Sequence, residues 1–204
     1  MSGKVEENMA SYKRRAAGFS LVEVLVSIVV LSLGLLGAVS MLTTSVRSTS
    51  ESGSFTAAVN LARELSEKAR LNRGVAAGKG TDAERNPYLI DIKGTDPLPA
   101  QQRECVGPLA TCSAWDIAAW DVRDWVARVK VSLPEARAVV CFDDDPVDDD
   151  GNYTWDCSGG GRNLVVKLGW VPRMGSEREM GADRQPRVVM QLVPGHDNDA
   201  PAAI

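Results

Sequence analysis

Histidine is almost absent from this sequence of 204 residues, and no proline occurs before Pro87. His196, near the tail, is the single histidine, so there is little material for metal ligation or general-base catalysis. No nucleophile–base pair, phosphate-binding loop or pair of catalytic carboxylates stands out either. We therefore expect a protein that is not an enzyme, with no cofactor and no metal site.

An excess of positive charge is also missing. The sequence has 23 lysines and arginines against 27 aspartates and glutamates, which gives a formal net charge of −4. A nucleic-acid-binding domain shows the opposite imbalance, concentrated on one face. We therefore expect no direct contact with nucleic acid.

Charge is absent altogether from Val24 to Val46, a run of 23 residues. A helix of that length extends about 34 Å, enough to cross a hydrocarbon layer about 30 Å thick. Glu23 lies inside the N-terminal end of the apolar block, and Lys13, Arg14 and Arg15 precede it. Basic residues at this end predict a single membrane span with a cytoplasmic N-terminus.

The motif at the start of the apolar run reads Gly18-Phe19-Ser20-Leu21-Val22-Glu23. It resembles the class III leader site of type IV pilins and of the pseudopilins of secretion systems. The resemblance implies that a prepilin peptidase cleaves after Gly18 and methylates the new N-terminus at Phe19. It also places Glu23 at the carboxylate that this family uses in assembly. The resemblance further implies that the membrane is the inner membrane and that the C-terminal domain is periplasmic.

Two simpler interpretations compete with this resemblance. A plain membrane anchor would need neither the glycine nor the glutamate. A conventional secretory signal peptide would use Ala38-Val39-Ser40 as its cleavage site, but its apolar segment is only about 7–15 residues long and should not contain Glu23. The fixed spacing of Gly18, Phe19 and Glu23 favours the pilin-like interpretation.

The resemblance implies a structural subunit. We expect a minor pilin that supports pilus assembly, and with it twitching, adhesion or DNA uptake. Its partners would be other minor and major pilins, the prepilin peptidase, the pilus assembly machinery and the inner membrane. One alternative is a minor pseudopilin of type II secretion, and another is a membrane-anchored periplasmic binding domain.

The resemblance and the apolar pattern together divide the chain into three segments. They are a cleaved leader at 1–18, a long helix at 19–73 with its membrane part at 19–46, and a periplasmic globular domain at 74–204. The second half of the long helix carries an apolar stripe at i, i+3, i+4, i+7 spacing. Its members are Ala58, Leu61, Ala62, Leu65 and Ala69. We expect this stripe to face the globular domain.

The globular domain has patterns of one helix and several strands. Ser113 and Asp116 form a capping box before a helix at 114–133, whose apolar stripe begins at Trp115 and which Pro134 ends. Strands are predicted at 136–142, 152–156, 164–171 and 187–193, with at most a short extended piece at 88–92. Together with the long helix these elements predict an α+β, pilin-like fold with a small antiparallel sheet.

The four cysteines all follow the apolar run, which suits an oxidising periplasm. The most economical pairing is Cys105 with Cys112 and Cys141 with Cys157, although four cysteines allow three connectivities. A zinc site is the alternative, but the sequence offers neither C-x₂-C spacing nor a suitable histidine.

Between Cys141 and Cys157 the chain is rich in aspartate at 143–150. Such a cluster suggests a calcium loop, because hard cations bind several oxygens. The EF-hand register fails, however: with Gly151 as the turn glycine, the first ligand position is Pro146 and the last is Cys157. The other interpretation, a solvated acidic hairpin that folds without calcium, fits the spacing better.

We predict cleavage between Gly18 and Phe19, followed by methylation of the new amino group. Mass spectrometry of protein from cells with an active prepilin peptidase should show a chain that begins at Phe19 and carries one added methyl group. In cells without the peptidase the chain should retain its leader. A mature N-terminus at Met41 would indicate an ordinary signal peptide instead.

Overall fold

The structure, a computed structural model, describes residues 18–78, 86–100, 103–107, 110–172 and 185–193. These residues form an α+β fold, which confirms the predicted fold class. The helices are α1 (Leu21–Leu71), α2 (Arg73–Ala76) and α3 (Ala114–Ser132). The strands are β1 (Ile90–Lys93), β2 (Arg137–Phe142), β3 (Leu164–Gly169) and β4 (Val188–Val193).

Helix α1 is 51 residues long and differs in burial along its length. The chain divides into two compact units, one ending at Ser45 and the other beginning at Val46, so the boundary lies within this helix. In the second unit the apolar stripe predicted from the sequence is buried. The helix therefore supplies one wall of the hydrophobic core through residues spaced three and four apart.

Direct hydrogen bonds join this part of α1 to the rest of the core. The indole N–H of Trp125 in α3 donates to the carbonyl of Leu61 over 2.8 Å. The hydroxyl of Ser66 donates to the carbonyl of Leu192 in β4 over 3.1 Å. One stretch of α1 thus contacts both α3 and the sheet.

Helix α3 begins with the predicted capping box. The Ser113 hydroxyl accepts from the backbone N–H of Asp116, and the Asp116 carboxylate accepts from the backbone N–H of Ser113. Hydrogen bonds from the hydroxyl and then the backbone N–H of Ser113 lower the pKa of Asp116. Trp115 is only partly buried, whereas Trp125 in the same stripe is fully buried. The buried stripe therefore starts one turn later than the sequence predicts.

The four strands form an antiparallel sheet in the order β1-β2-β3-β4, so each strand pairs with its neighbours along the chain. Val140 lies opposite Ile90 on one side and Val166 on the other. The strands predicted at 136–142, 164–171 and 187–193 are confirmed to within one or two residues. Antiparallel neighbours do not require a crossover helix, although α3 lies in the chain between β1 and β2.

The strand predicted at 152–156 is wrong. Only Tyr153 makes an isolated bridge, to Val147, while the carbonyls of Thr154 and Asp156 accept hydrogen bonds from the Lys167 side chain. Those carbonyls are therefore not available to a β-ladder. The remaining strand of the sheet is β1, where the sequence predicts at most a short extended piece, and pairing with β2 makes it a full edge strand.

The core lies between the helices and one face of the sheet. Alternate residues of β2 and β3 point into it, together with the stripes of α1 and α3. Its largest fully buried apolar side chains are Trp125, Trp170, Tyr88, Leu65, Leu133, Leu164, Leu168 and Leu192.

We predict that Leu65→Ala lowers the free energy of unfolding by about 2–5 kcal/mol, because it leaves a cavity in the core. Leu71→Ala is the matched control, since Leu71 lies on the same helix with 90% of its surface exposed. Urea unfolding of the full chain in detergent, followed by tryptophan fluorescence, measures both. Equal losses in the two variants would show that the stripe does not hold the core.

Candidate functional site

The N-terminal segment places the predicted processing and assembly residues next to each other. Gly18 and Phe19 precede α1, and Glu23 lies in its first turn. Phe19 and Glu23 line a shallow groove of about 370 Å³ along the helix, with Ser27 beside them. A carboxylate in the first turn is also favoured by the helix dipole. Phe19 itself is 83% exposed.

The helix that follows exposes an apolar surface on every side. All residues from Leu21 to Ser45 are exposed, including many large aliphatic side chains. Among the described residues one helix is long and apolar enough to cross a membrane, with a mean hydropathy of 2.5 in its most apolar 18-residue stretch. An apolar surface of this extent is unstable in water and fits a membrane anchor.

The cysteines form two disulfides in the second unit. Cys105 is bonded to Cys112, seven residues away, and Cys141 to Cys157, sixteen residues away. Both disulfides join the cysteines that the spacing in the sequence predicts as pairs. The sulfurs of the second pair lie within 4.8 Å of the Asp143 carboxylate, but they are bonded to each other and offer no thiolates to a metal ion.

Asp143 begins the acidic loop, and its charge is paired inside the protein. The Lys167 ammonium lies 2.6 Å from Asp143 Oδ2, and both side chains are fully buried. This contact is a close ion pair rather than a well-directed hydrogen bond, but charges at this distance attract whichever way the N–H groups point. Asp143 Oδ1 accepts from the backbone N–H groups of Asp145 and Ser158.

Burial alone would raise the pKa of Asp143. The Lys167 ammonium and the two backbone N–H groups outweigh that effect, so the pKa of this carboxyl is lowered. Asp143 is therefore ionised in the folded protein at neutral pH.

Other aspartates of the loop are held by backbone N–H groups, Asp144 across the segment and Asp148 within a local turn. Asp144 Oδ1 accepts from the backbone N–H groups of Arg162 and Asn163, and Asp148 Oδ1 from those of Asp150 and Asn152. Carboxylates bonded to the backbone in this way need no metal, and the bonds of Asp148 form an ordinary side-chain turn. Lys167 was not predicted from the sequence as the partner of this loop. The sequence does contain a sign of this role, because Lys167 lies inside the apolar run 164–171. A lysine that is buried there requires an anion or hydrogen-bond acceptors.

Two family comparisons match the chain. Residues 13–39 match the family described as prokaryotic N-terminal methylation motif, and residues 40–123 match the family described as type IV pilin Tt1218. The second match ends within α3, before β2 begins. No curated protein and no solved structure matches the chain.

We predict an acid-dependent stability from Asp143. Because its pKa is lower in the folded state, the stabilisation is complete above the ordinary carboxyl pKa of about 4 and is lost as the pH falls through the lowered value. The melting temperature of wild type should exceed that of Asp143→Asn at pH 7, and the difference should shrink below about pH 4. Asp149→Asn, an exposed position of the same loop, should show no such dependence. A difference that stays constant down to pH 2 contradicts the prediction.

Proposed function

Since this chain is type IV pilin-like from its leader into the globular domain, we propose that it is a minor pilin that supports the assembly of a type IV pilus. The observation that carries the proposal is the leader motif ending at Glu23, followed directly by an exposed apolar helix. Pilins are structural subunits, which agrees with the expectation of no enzyme activity. A leader of this kind implies processing by a prepilin peptidase and assembly by pilus machinery.

A minor role, rather than that of the main subunit, is supported by resemblance. The chain resembles the type IV pilus modification protein PilV, with Cys105 and Cys112 directly before a tryptophan-rich helix, and Leu168-Gly169-Trp170-Val171 late in the sheet. The Cys105–Cys112 bridge closes just before the cap residue of α3. We infer that its partners are other minor pilins and the major pilin.

The proposed location is the inner membrane, with the N-terminus in the cytoplasm and the second unit in the periplasm, until the subunit enters the pilus. Lys13, Arg14 and Arg15 support that orientation. The two disulfides agree with it, because disulfides persist in an oxidising compartment.

Glu23 is proposed to guide docking. A carboxylate within the apolar span costs at least about 2.5–3.5 kcal/mol unless it is neutralised or paired. Near the end of the span, headgroups and water relieve this cost in the free subunit, but a filament core would remove them. The amine of Phe19 on a neighbouring subunit is then the natural partner, and a wrong axial register would leave the charge unpaired.

Deletion of the gene distinguishes a pilus from a secretion system. For a minor pilin we expect few surface pili and lost twitching, with normal export of the substrates of type II secretion. Loss of that export with intact pili would identify a pseudopilin instead. A mature chain that keeps its leader would favour the membrane-anchored binding domain.

Glu23→Ala is predicted to be inserted and cleaved after Gly18 but to fail to enter pili. The reason is that the variant lacks the charge that pairs with the neighbouring amine, while the cleavage site is unchanged. Sheared pili are analysed by immunoblot for the subunit, with Glu67→Ala as the control. Glu67 is an exposed glutamate of the same helix, in the second unit. Normal amounts of Glu23→Ala in sheared pili would exclude the pairing role.

A further inference from the structure

The two central strands of the sheet, β2 and β3, are covered on both faces, although only one face of the sheet lies against the helices. In β2 and β3 the residues that alternate with the core positions include Val139 and Val165, each only 4% exposed, and Lys167, which is 0% exposed. In a sheet with one solvated face these positions would be open to water. A second layer must therefore cover them.

That layer is the segment between the two strands, residues 143–163, which we name the acidic cap. Three contacts attach it to the outer face of the sheet. Cys157 is bonded to Cys141 of β2, and the guanidinium of Arg137 lies 4.5 Å from the centre of the Trp155 ring. The third contact is made by Lys167 of β3.

The contact made by Lys167 involves a buried positive charge. Its ammonium donates to the carbonyls of Thr154 and Asp156 over 2.8 and 2.6 Å, and it lies 2.6 Å from Asp143 Oδ2. An ammonium has three protons, and here three oxygens surround it. A fully buried lysine is costly unless it is paired and hydrogen-bonded in this way.

The three oxygens come from two separate parts of the cap. Asp143 is its first residue, while Thr154 and Asp156 lie beyond the turn at 148–151. A carboxylate and two backbone carbonyls are the kinds of ligand that loops use to bind calcium. In this protein these oxygens surround the ammonium group of Lys167, which belongs to strand β3.

We propose that the Lys167 ammonium is the structural cation of the acidic cap, and that it fixes the cap on the sheet in place of a bound metal ion. Lys167 is thus a positioning residue for 143–163. The exposed aspartates at the tip of the cap are held in a defined place without any need for calcium. This inference does not depend on the proposed role in pilus assembly.

The test compares Lys167→Met with Lys68→Met in the full chain purified in detergent. Lys68 is the matched control, because it also pairs with an aspartate, Asp121, but both side chains are partly exposed. Lys167→Met should lower the melting temperature by roughly 10 °C, since it leaves a buried carboxylate unpaired. Lys68→Met should lower it far less.

Proteolysis reports on the cap directly. A protease that cuts before aspartate should cleave Lys167→Met within 143–156 and leave wild type and Lys68→Met intact there. Because Cys141 and Cys157 flank these sites, the two fragments should separate on a gel only after reduction. Fragments that separate without reduction would show cleavage elsewhere, and an uncut cap in Lys167→Met would overturn the proposal.

A double variant keeps the test valid if Lys167→Met does not fold. Asp143→Asn together with Lys167→Met buries no unpaired charge, so it should melt at a higher temperature than Lys167→Met alone. Its cap should still be cleaved faster than that of wild type, because the ammonium that joins the two carbonyls is gone. A cap as resistant as in wild type would overturn the proposal.

A last experiment tests whether calcium stabilises the protein. The melting temperature of wild type should be the same, within about 1 °C, in millimolar calcium and in EDTA, because binding stabilises only where a site is free. A rise of several degrees in calcium, or a fall in EDTA, would show that a metal ion and not Lys167 holds the cap.

Discussion

Helix α1 has a first half that fits a membrane and a second half that is buried in the core, and the rest of the structure depends on that second half. Its first half exposes aliphatic side chains on all sides. Hydroxyls in this half are satisfied locally: Ser27, Ser32 and Thr44 each donate to the carbonyl four residues earlier. In a membrane that supplies no other partners, this leaves no hydroxyl proton unbonded at these positions.

The second half of α1 stabilises the domain through apolar burial rather than through charge. Ion pairs flank the buried stripe, with Glu64 contacting Arg128 and Lys68 contacting Asp121. All four side chains are partly exposed, and such pairs contribute little to stability. Leu65, fully buried between them, loses far more surface to water. Burial of Leu65 therefore contributes more to the stability of the domain than these ion pairs do.

Much of the fold could be predicted from the sequence because it rests on local patterns. The stripe of α1, the capping box of α3 and three strands of the sheet each follow from the spacing of neighbouring residues. The acidic cap could not be predicted in this way, since Tyr153 and Trp155 have strand propensity but the carbonyls beside them bind Lys167. The hydrogen bonds from Lys167 outweigh the strand propensity of these residues, and the local sequence gives no sign of them. The leader site was predictable because its register is fixed, while the roles of Phe19 and Glu23 in the cell stay predictions.

The contacts of the second half of α1 also have a mechanical consequence. The carbonyl of Leu61 is hydrogen-bonded to α3 and the hydroxyl of Ser66 to β4, so two different elements of the core hold this stretch of the helix. Pulling the stretch out of the core would break both hydrogen bonds and expose its buried residues at 58–69 to water.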